Sequence, residues 1–269
     1  MKIQKFIIVC LIVVLNPFNV GFAYEQTERQ IIKDIRKCSK QIDKHPDEAK
    51  FFIKRGYLNY QLGNYQDAIK DYSSAESIDP KNENIYYSRG QLELKLQMYD
   101  LALKDFDKAI KLKPKDAKTY VARGTVNDLL GHYCLAIKDY NFAIKCDRHY
   151  SKAYVNRGIV KDELKDYTGA IKDYDKAIRI DKYASDAYYN KGLTLCKLNK
   201  YDEAIESYTN AIGLDDYYEQ AYLQRGLTYM VQKQYEQARL DLIKTLDINP
   251  GNKKARENLA IVKDYVVEE

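Results

Sequence analysis

From residue 49 to residue 252 the apolar and polar positions follow a helical spacing, and the whole arrangement returns every 34 residues without an insertion. The unit is clearest from Ser151 to Ala184, SKAYVNRGIVKDELKDYTGAIKDYDKAIRIDKYA. Residues three and four apart share a helix face, so Tyr154, Gly158 and Lys161 mark one stripe of a first helix, predicted over Lys152–Leu164. Ala170, Tyr174 and Ala177 mark the stripe of a second, predicted over Thr168–Ile180, with Lys165, Asp166 and Tyr167 turning the chain between them. Small residues in both stripes let the two helix axes approach, and the aromatics fill the space beside them. A glycine inside a helix costs about 1 kcal/mol relative to alanine, so one at this place in every copy needs a packing reason.

The other columns keep the same register. Arg-Gly recurs at Arg55-Gly56, Arg89-Gly90, Arg123-Gly124, Arg157-Gly158 and Arg225-Gly226, with Lys191-Gly192 in the remaining slot. Tyr65, Tyr99, Tyr133, Tyr167, Tyr201 and Tyr235 hold one phase, and Ala68, Ala102, Ala136, Ala170, Ala204 and Ala238 another. A third column is aromatic throughout: Phe52, Tyr86, Tyr120, Tyr154, Tyr188 and Tyr222. A fixed period of this length predicts a solenoid, in which each unit hides its apolar face only against its neighbours. Six repeats are placed at 49–82, 83–116, 117–150, 151–184, 185–218 and 219–252.

On these columns the chain resembles the tetratricopeptide repeat (TPR) family, over about three quarters of its length. The resemblance implies an all-α fold, a right-handed α-solenoid of helix-turn-helix repeats whose concave groove holds peptides. Arg or Lys stands before the Gly where the family pattern has Leu.

Both ends read as caps. Tyr24–Lys44 is helical in pattern, with Ile31, Ile35, Cys38 and Ile42 on one side, and residues 24–48 are expected to cover the first repeat with a wettable outer face. Residues 253–269 keep the phase of a first helix, with Leu259-Ala260 in place of Arg-Gly and Arg256 in place of the aromatic; Glu268-Glu269 is expected to fray. With both ends covered, a monomer is expected, and a dimer through the groove is the alternative. Gly63, Gly131 and Asn199 occupy the turn where a left-handed residue ends a helix at little cost.

The Arg column has a partner. Arg55, Arg89, Arg123, Arg157 and Arg225 are each followed 16 residues later by Asp71, Asp105, Asp139, Asp173 and Asp241, whereas Lys191 is followed by Ser207. Two helices folded about a turn bring together residues equally far from its centre. A bidentate bridge between the helices of each repeat is therefore expected, absent from the fifth.

Function is expected on a second stripe of the first helices, which varies from copy to copy while the scaffold columns do not. In the family that face lines the groove. Here it carries Tyr57 and Tyr60, then Tyr87 and Gln91, then Lys118, Val121 and Thr125, then Lys152, Val155 and Ile159, then Tyr189 and Leu193, then Leu223 and Leu227. Asn156 and Asn190 lie one residue beyond it and have amides suited to a peptide backbone. The places where the family's clamp for C-terminal carboxylates has Lys and Asn hold Val121, Val155, Thr125 and Ile159, so that clamp is not expected.

Composition narrows the classes. Lys2 and Lys5, the apolar run Phe6–Leu15 and the ending Gly21-Phe22-Ala23 form the pattern of a secretory signal peptide over residues 1–23, cleaved after Ala23; the run is too short to span a bilayer. Its removal takes away two lysines and no acid, lowering the formal charge from +5 to +3. So small a charge gives no strong field for nucleic acid, and the Lys-rich outer faces of the second helices, spaced by acids such as Asp107 and Asp175, read as solvated surface. His132 and Cys134 stand roughly 18 Å along a helix from Cys146 and His149, too far to share a zinc ion. No nucleophile elbow or phosphate loop occurs. An oxidising compartment favours disulfides, but Cys38, Cys134, Cys146 and Cys196 fall in separate layers or at opposite ends of one helix, so four free thiols are expected, with Cys38 and Cys146 buried and Cys134 exposed. The chain is thus expected to be exported, periplasmic or secreted in a bacterium, to bind a protein or peptide, to need no cofactor or metal, and to catalyse nothing. A scaffold of the cell envelope and a secreted factor acting on another cell are the competing readings.

Overall fold

The computed structural model describes residues 17–265, with side chains from residue 27, and the regular elements among them are all α-helices. Most of the expected leader lies outside the described residues, as do Cys10, Glu268 and Glu269. The chain divides into two compact units, meeting in sequence at Pro114 and Lys115. The first holds α1 (Pro17–Lys44), α2 (Ala49–Gln61), α3 (Tyr65–Ile78), α4 (Glu83–Lys95) and α5 (Tyr99–Leu112). The second holds α6 (Ala117–Leu129), α7 (Tyr133–Cys146), α8 (Ser151–Glu163), α9 (Tyr167–Ile180), α10 (Ser185–Lys197), α11 (Tyr201–Leu214), α12 (Glu219–Val231), α13 (Tyr235–Ile248) and α14 (Lys253–Lys263). Within each unit every helix packs on the next, and first helices also touch first helices, α2 on α4 and α6, α8, α10, α12 and α14 in series. The fold is the all-α, helical-repeat solenoid predicted from the period.

The boundaries shift by a residue or two. In the archetypal unit the helices are Ser151–Glu163 and Tyr167–Ile180, so Leu164, Lys165 and Asp166 make the turn. Asp166 accepts a hydrogen bond from the Gly169 amide, which satisfies one free donor at the start of α9. Left-handed residues end the first helices as expected at Gly63, Gly131 and Asn199, and also at Gln97, Lys165 and Lys233, which no composition rule would have picked. Among the described residues α1 extends N-terminal of Tyr24, from Pro17 to Lys44, and runs through the expected cleavage position.

The interior explains the glycine column. Ala170, Tyr174 and Ala177 of α9 are fully buried, as are Ala204, Tyr208 and Ala211 of α11. A methyl group at Gly158 would sit 2.6 Å from Cε1 of Tyr174, so the ring sixteen residues on occupies the place of a side chain. At Gly226 the facing residue is Leu242, and the nearest atom to such a methyl is Cβ of Asp241 at 3.2 Å. Arg256 of α14 donates to the Pro250 carbonyl at 2.6 Å, replacing the tyrosine that elsewhere makes this bond, as Tyr154 does to the Arg148 carbonyl.

The Arg bridges form. Arg157 donates through Nε and Nη2 to the two oxygens of Asp173 at 2.8 and 2.6 Å, and Arg225 does the same to Asp241 at 2.7 and 2.8 Å. In the first unit Arg89 holds Asp105 and also Glu76, 2.7 Å away on α3. Although burial pushes the Glu76 carboxyl up, hydrogen bonds from Lys108 and Arg89 hold it at about 2.

One thiol departs from expectation. Cys38 is buried, and burial raises its pKa; Cys134 is exposed; but Cys146 is half-buried, because it closes α7 where the helix runs out into the turn. The four described cysteines are unpaired.

Candidate functional site

In the first unit, the predicted groove residues of α2 and α4 converge. Tyr57, Tyr60, Tyr87 and Gln91 line a cavity of about 230 Å³ together with Tyr72 and Ser88. Tyr57 and Tyr60 are one helical turn apart on α2, and Tyr87 and Gln91 one turn apart on α4, so each helix offers two adjacent groups to the space between. Tyr57 is 52% exposed, while Tyr60, Tyr87 and Gln91 are half-buried. The Gln61 amide donates to the Tyr57 hydroxyl at 3.3 Å, leaving the phenolic hydrogen free to be donated outward. The Lys95 ammonium lies 5.4 Å from the centre of the Tyr60 ring, a cation-π distance.

Sequence reasoning missed Tyr72 and Ser88. Tyr72 belongs to a buried scaffold column and closes the floor. Ser88 stands at the repeat position of Asn156 and Asn190, a column that draws attention through its amides, and a lone hydroxyl in it gives no comparable signal.

In the second unit, the predicted residues share a face but are more heavily engaged. Lys118 and Lys152 are exposed at the starts of α6 and α8. The Asn156 amide donates to the Thr125 hydroxyl at 3.2 Å, and Thr125 donates to the Val121 carbonyl at 2.9 Å. The Asn190 amide donates to the Asp186 carbonyl of its own helix at 2.7 Å. Neither asparagine therefore offers two free amide hydrogens. Tyr189 packs in tilted ring contact on Tyr218, with centroids 5.1 Å apart, and on Tyr208, at 6.1 Å, and the Tyr218 hydroxyl donates to Asp186 at 2.9 Å. Leu193 is half-buried beside them, whereas Val121, Val155 and Leu223 are buried in the packing between helices.

A polar line runs under this face. Asp162, 8% exposed, accepts from the Thr194 hydroxyl at 2.7 Å and pairs with the Lys197 ammonium. One repeat later the Cys196 sulfur lies 3.4 Å from the Thr228 hydroxyl. These contacts join α8 to α10 and α10 to α12. Among the described residues, no group of three or more His, Cys, Asp or Glu side chains is placed to hold a metal ion, and no helix is long and apolar enough to cross a membrane.

Profiles described as "TPR repeat" and "Tetratricopeptide repeat" match residues 56–97, 84–116, 151–183, 185–218 and 219–252, together more than half of the chain. The chain belongs to the tetratricopeptide repeat proteins. A curated relative, the DnaJ homolog subfamily C member 7 homolog of Dictyostelium discoideum, is 34% identical over 53 residues, 20% of this TPR chain and only 10% of the relative. The structure of the APC/C hetero-tetramer Cut9-Hcn1 superimposes with a TM-score of 0.73 at 19% identity, over 86% of this chain and 45% of that one. YrrB, described as a TPR protein with an unusual peptide-binding site, gives 0.54 at 21% identity over 70% of this chain and 96% of its own. At these identities the structural likeness concerns the fold.

Proposed function

We propose that this TPR chain is an exported, non-catalytic scaffold that holds a segment of another protein against the variable face of its first helices. The observation that carries the reading is the tyrosine-lined cavity between α2 and α4, where four of the groove residues picked by their variation meet around one space. Tyrosine presents large, rigid, amphipathic area at low entropic cost, as recognition surfaces require. In the second unit Lys118, Thr125, Lys152, Asn156, Tyr189, Asn190 and Leu193 extend the contact surface, with Tyr189 and Leu193 as its apolar part. YrrB offers a parallel, since its TPR fold carries a peptide-binding site. Export rests on the basic start, apolar run and small-residue ending of residues 1–23. The mature chain would then work outside the cytoplasm, as a monomer, either assembling envelope components or acting after release.

The test is a crosslinked pull-down of the full chain from its own compartment, alongside the Tyr57→Ala/Gln91→Ala double variant. One stoichiometric protein, recovered with the wild type and lost with the variant, supports the groove. Equal recovery by both moves the site elsewhere.

A further inference from the structure

We infer that the cavity between α2 and α4 takes an uncharged proline-rich segment in the polyproline II conformation, an inference that rests on the groove reading above and names the partner's chemistry. Size comes first. At about 230 Å³ the cavity falls below the roughly 300–1,000 Å³ of sites that enclose a whole small molecule, so it suits side chains of a longer ligand passing over it. Charge comes second. The six lining residues are four tyrosines, a serine and a glutamine, with no carboxylate, ammonium or guanidinium among them. A basic helix finds no countercharge among them while its own charges would lose water, and an acidic tail would have to draw the Lys95 ammonium off the Tyr60 and Tyr65 rings, 5.4 and 5.6 Å from it.

Hydrogen bonding comes third. Proline has no N–H, so a proline-rich segment offers carbonyl acceptors, and in polyproline II these are not used internally. The rim matches that need. The phenolic hydrogen of Tyr57 is free because Gln61 donates to its oxygen, and Gln91 carries two amide hydrogens on the facing helix. Finally, flat rings on both walls fit the flat faces of pyrrolidine rings, and the pre-set conformation lowers the entropy lost on binding. The feature is local to the first unit: the repeat positions of Tyr57 and Tyr60 hold Thr125 and Asp128, Ile159 and Asp162, Leu193 and Cys196, and Leu227 and Met230 in the second.

The experiment uses the full chain, which has no Trp, and a capped fluorescein-labelled oligoproline followed by anisotropy. Comparison peptides are an uncharged Ser/Gln/Ala segment and an amphipathic Leu/Lys/Glu helix of the same length. The expected result is oligoproline binding at least about tenfold tighter than either control, reduced about threefold or more by Tyr57→Phe, which removes only the hydroxyl, and about tenfold by Tyr57→Ala, with Leu240→Ala, at an exposed position on α13, without effect. Tyr57 is exposed, so both of its variants should keep the wild-type circular dichroism. If the Ser/Gln/Ala segment binds as tightly and with the same dependence on Tyr57, the groove stands and the proline inference falls. Tight oligoproline binding that ignores Tyr57 also overturns it, because the site is then elsewhere. If no peptide binds, the inference falls, and the pull-down alone decides the fate of the groove.

Discussion

The Lys191 ammonium lies 2.8 Å from Asp175, sixteen residues before it on α9, and not against the helix that follows it in its own hairpin. The same backward reach is made by Arg157, whose Nη1 donates to Asn141 at 2.6 Å, and by Arg225, whose Nη1 donates to Thr209 at 2.9 Å. The basic column therefore binds in two directions: forward to the carboxylate of its own repeat and backward to the previous second helix. In the fifth repeat the forward half is missing, since the Ser207 hydroxyl donates to the Glu203 carbonyl, and the backward half remains.

Removing these cations should cost unequal amounts. Asp241 is 5% exposed and depends on Arg225, so Arg225→Ala strands a buried carboxylate and should cost about 3 kcal/mol. Arg157→Ala should cost less, because the Lys161 ammonium still reaches Asp173 at 2.8 Å. Lys191→Ala frees a carboxylate that is 41% exposed and should cost under about 1 kcal/mol. Thermal melts of the three variants check the order, and equal melting temperatures would show that the bridges add nothing.

Glu93 should make the first unit sensitive to pH near neutrality. Its carboxyl is 7% exposed with one oxygen unpartnered, and it faces Asp105 of α5 where the neighbouring repeat has Asn59 donating to Asp71. Burial, then the charge of Asp105, raises its pKa to about 7, with Arg89 opposing. The folded state thus holds a proton that the unfolded chain releases near 4.5, so this contribution is complete below that pH and is lost as pH rises through about 7. Glu93→Gln should leave stability near pH 5 little changed and raise it at pH 8, by up to about 3 kcal/mol. Urea melts at the two pH values test it; a variant with the wild-type pH dependence rejects the assignment.

Two glycines of the same column should respond differently to alanine. Gly158→Ala drives a methyl into the Tyr174 ring and should destabilise by about 1–3 kcal/mol despite the gain in helix propensity. Gly226→Ala meets its nearest atom at 3.2 Å beside the branched Leu242 and should be closer to neutral. Denaturant midpoints of the pair decide it; equal loss would mean that ring packing is not the reason for the glycine.

Alkylation tests both export and burial. Under native conditions Cys134 should label first and Cys38 last, since exposure favours the first, while burial and a raised pKa hold back the second. After denaturation without reductant, intact mass should report four labels if residues 1–23 have been removed and five if Cys10 is retained. Fewer than four would require a disulfide.

The 34-residue period was enough to determine helices, their pairing and the bridge partners, because a repeat must satisfy the same local contacts six times and so writes them as columns. Tyr174 facing Gly158 and Asp173 facing Arg157 are both sixteen residues apart and legible as such. The site was half legible: variation marked the face, and Tyr57, Tyr60, Tyr87 and Gln91 do meet. What the face exposes was decided by tertiary packing. Val121 and Val155 share the stripe of Tyr87 yet are buried, and the amides of Asn156 and Asn190 close on Thr125 and on the Asp186 carbonyl, since a side chain binds whichever partner the neighbouring helix brings within reach. For the same reason Lys191 pairs with Asp175 on the helix behind it: no spacing rule within one repeat contains the geometry of the next.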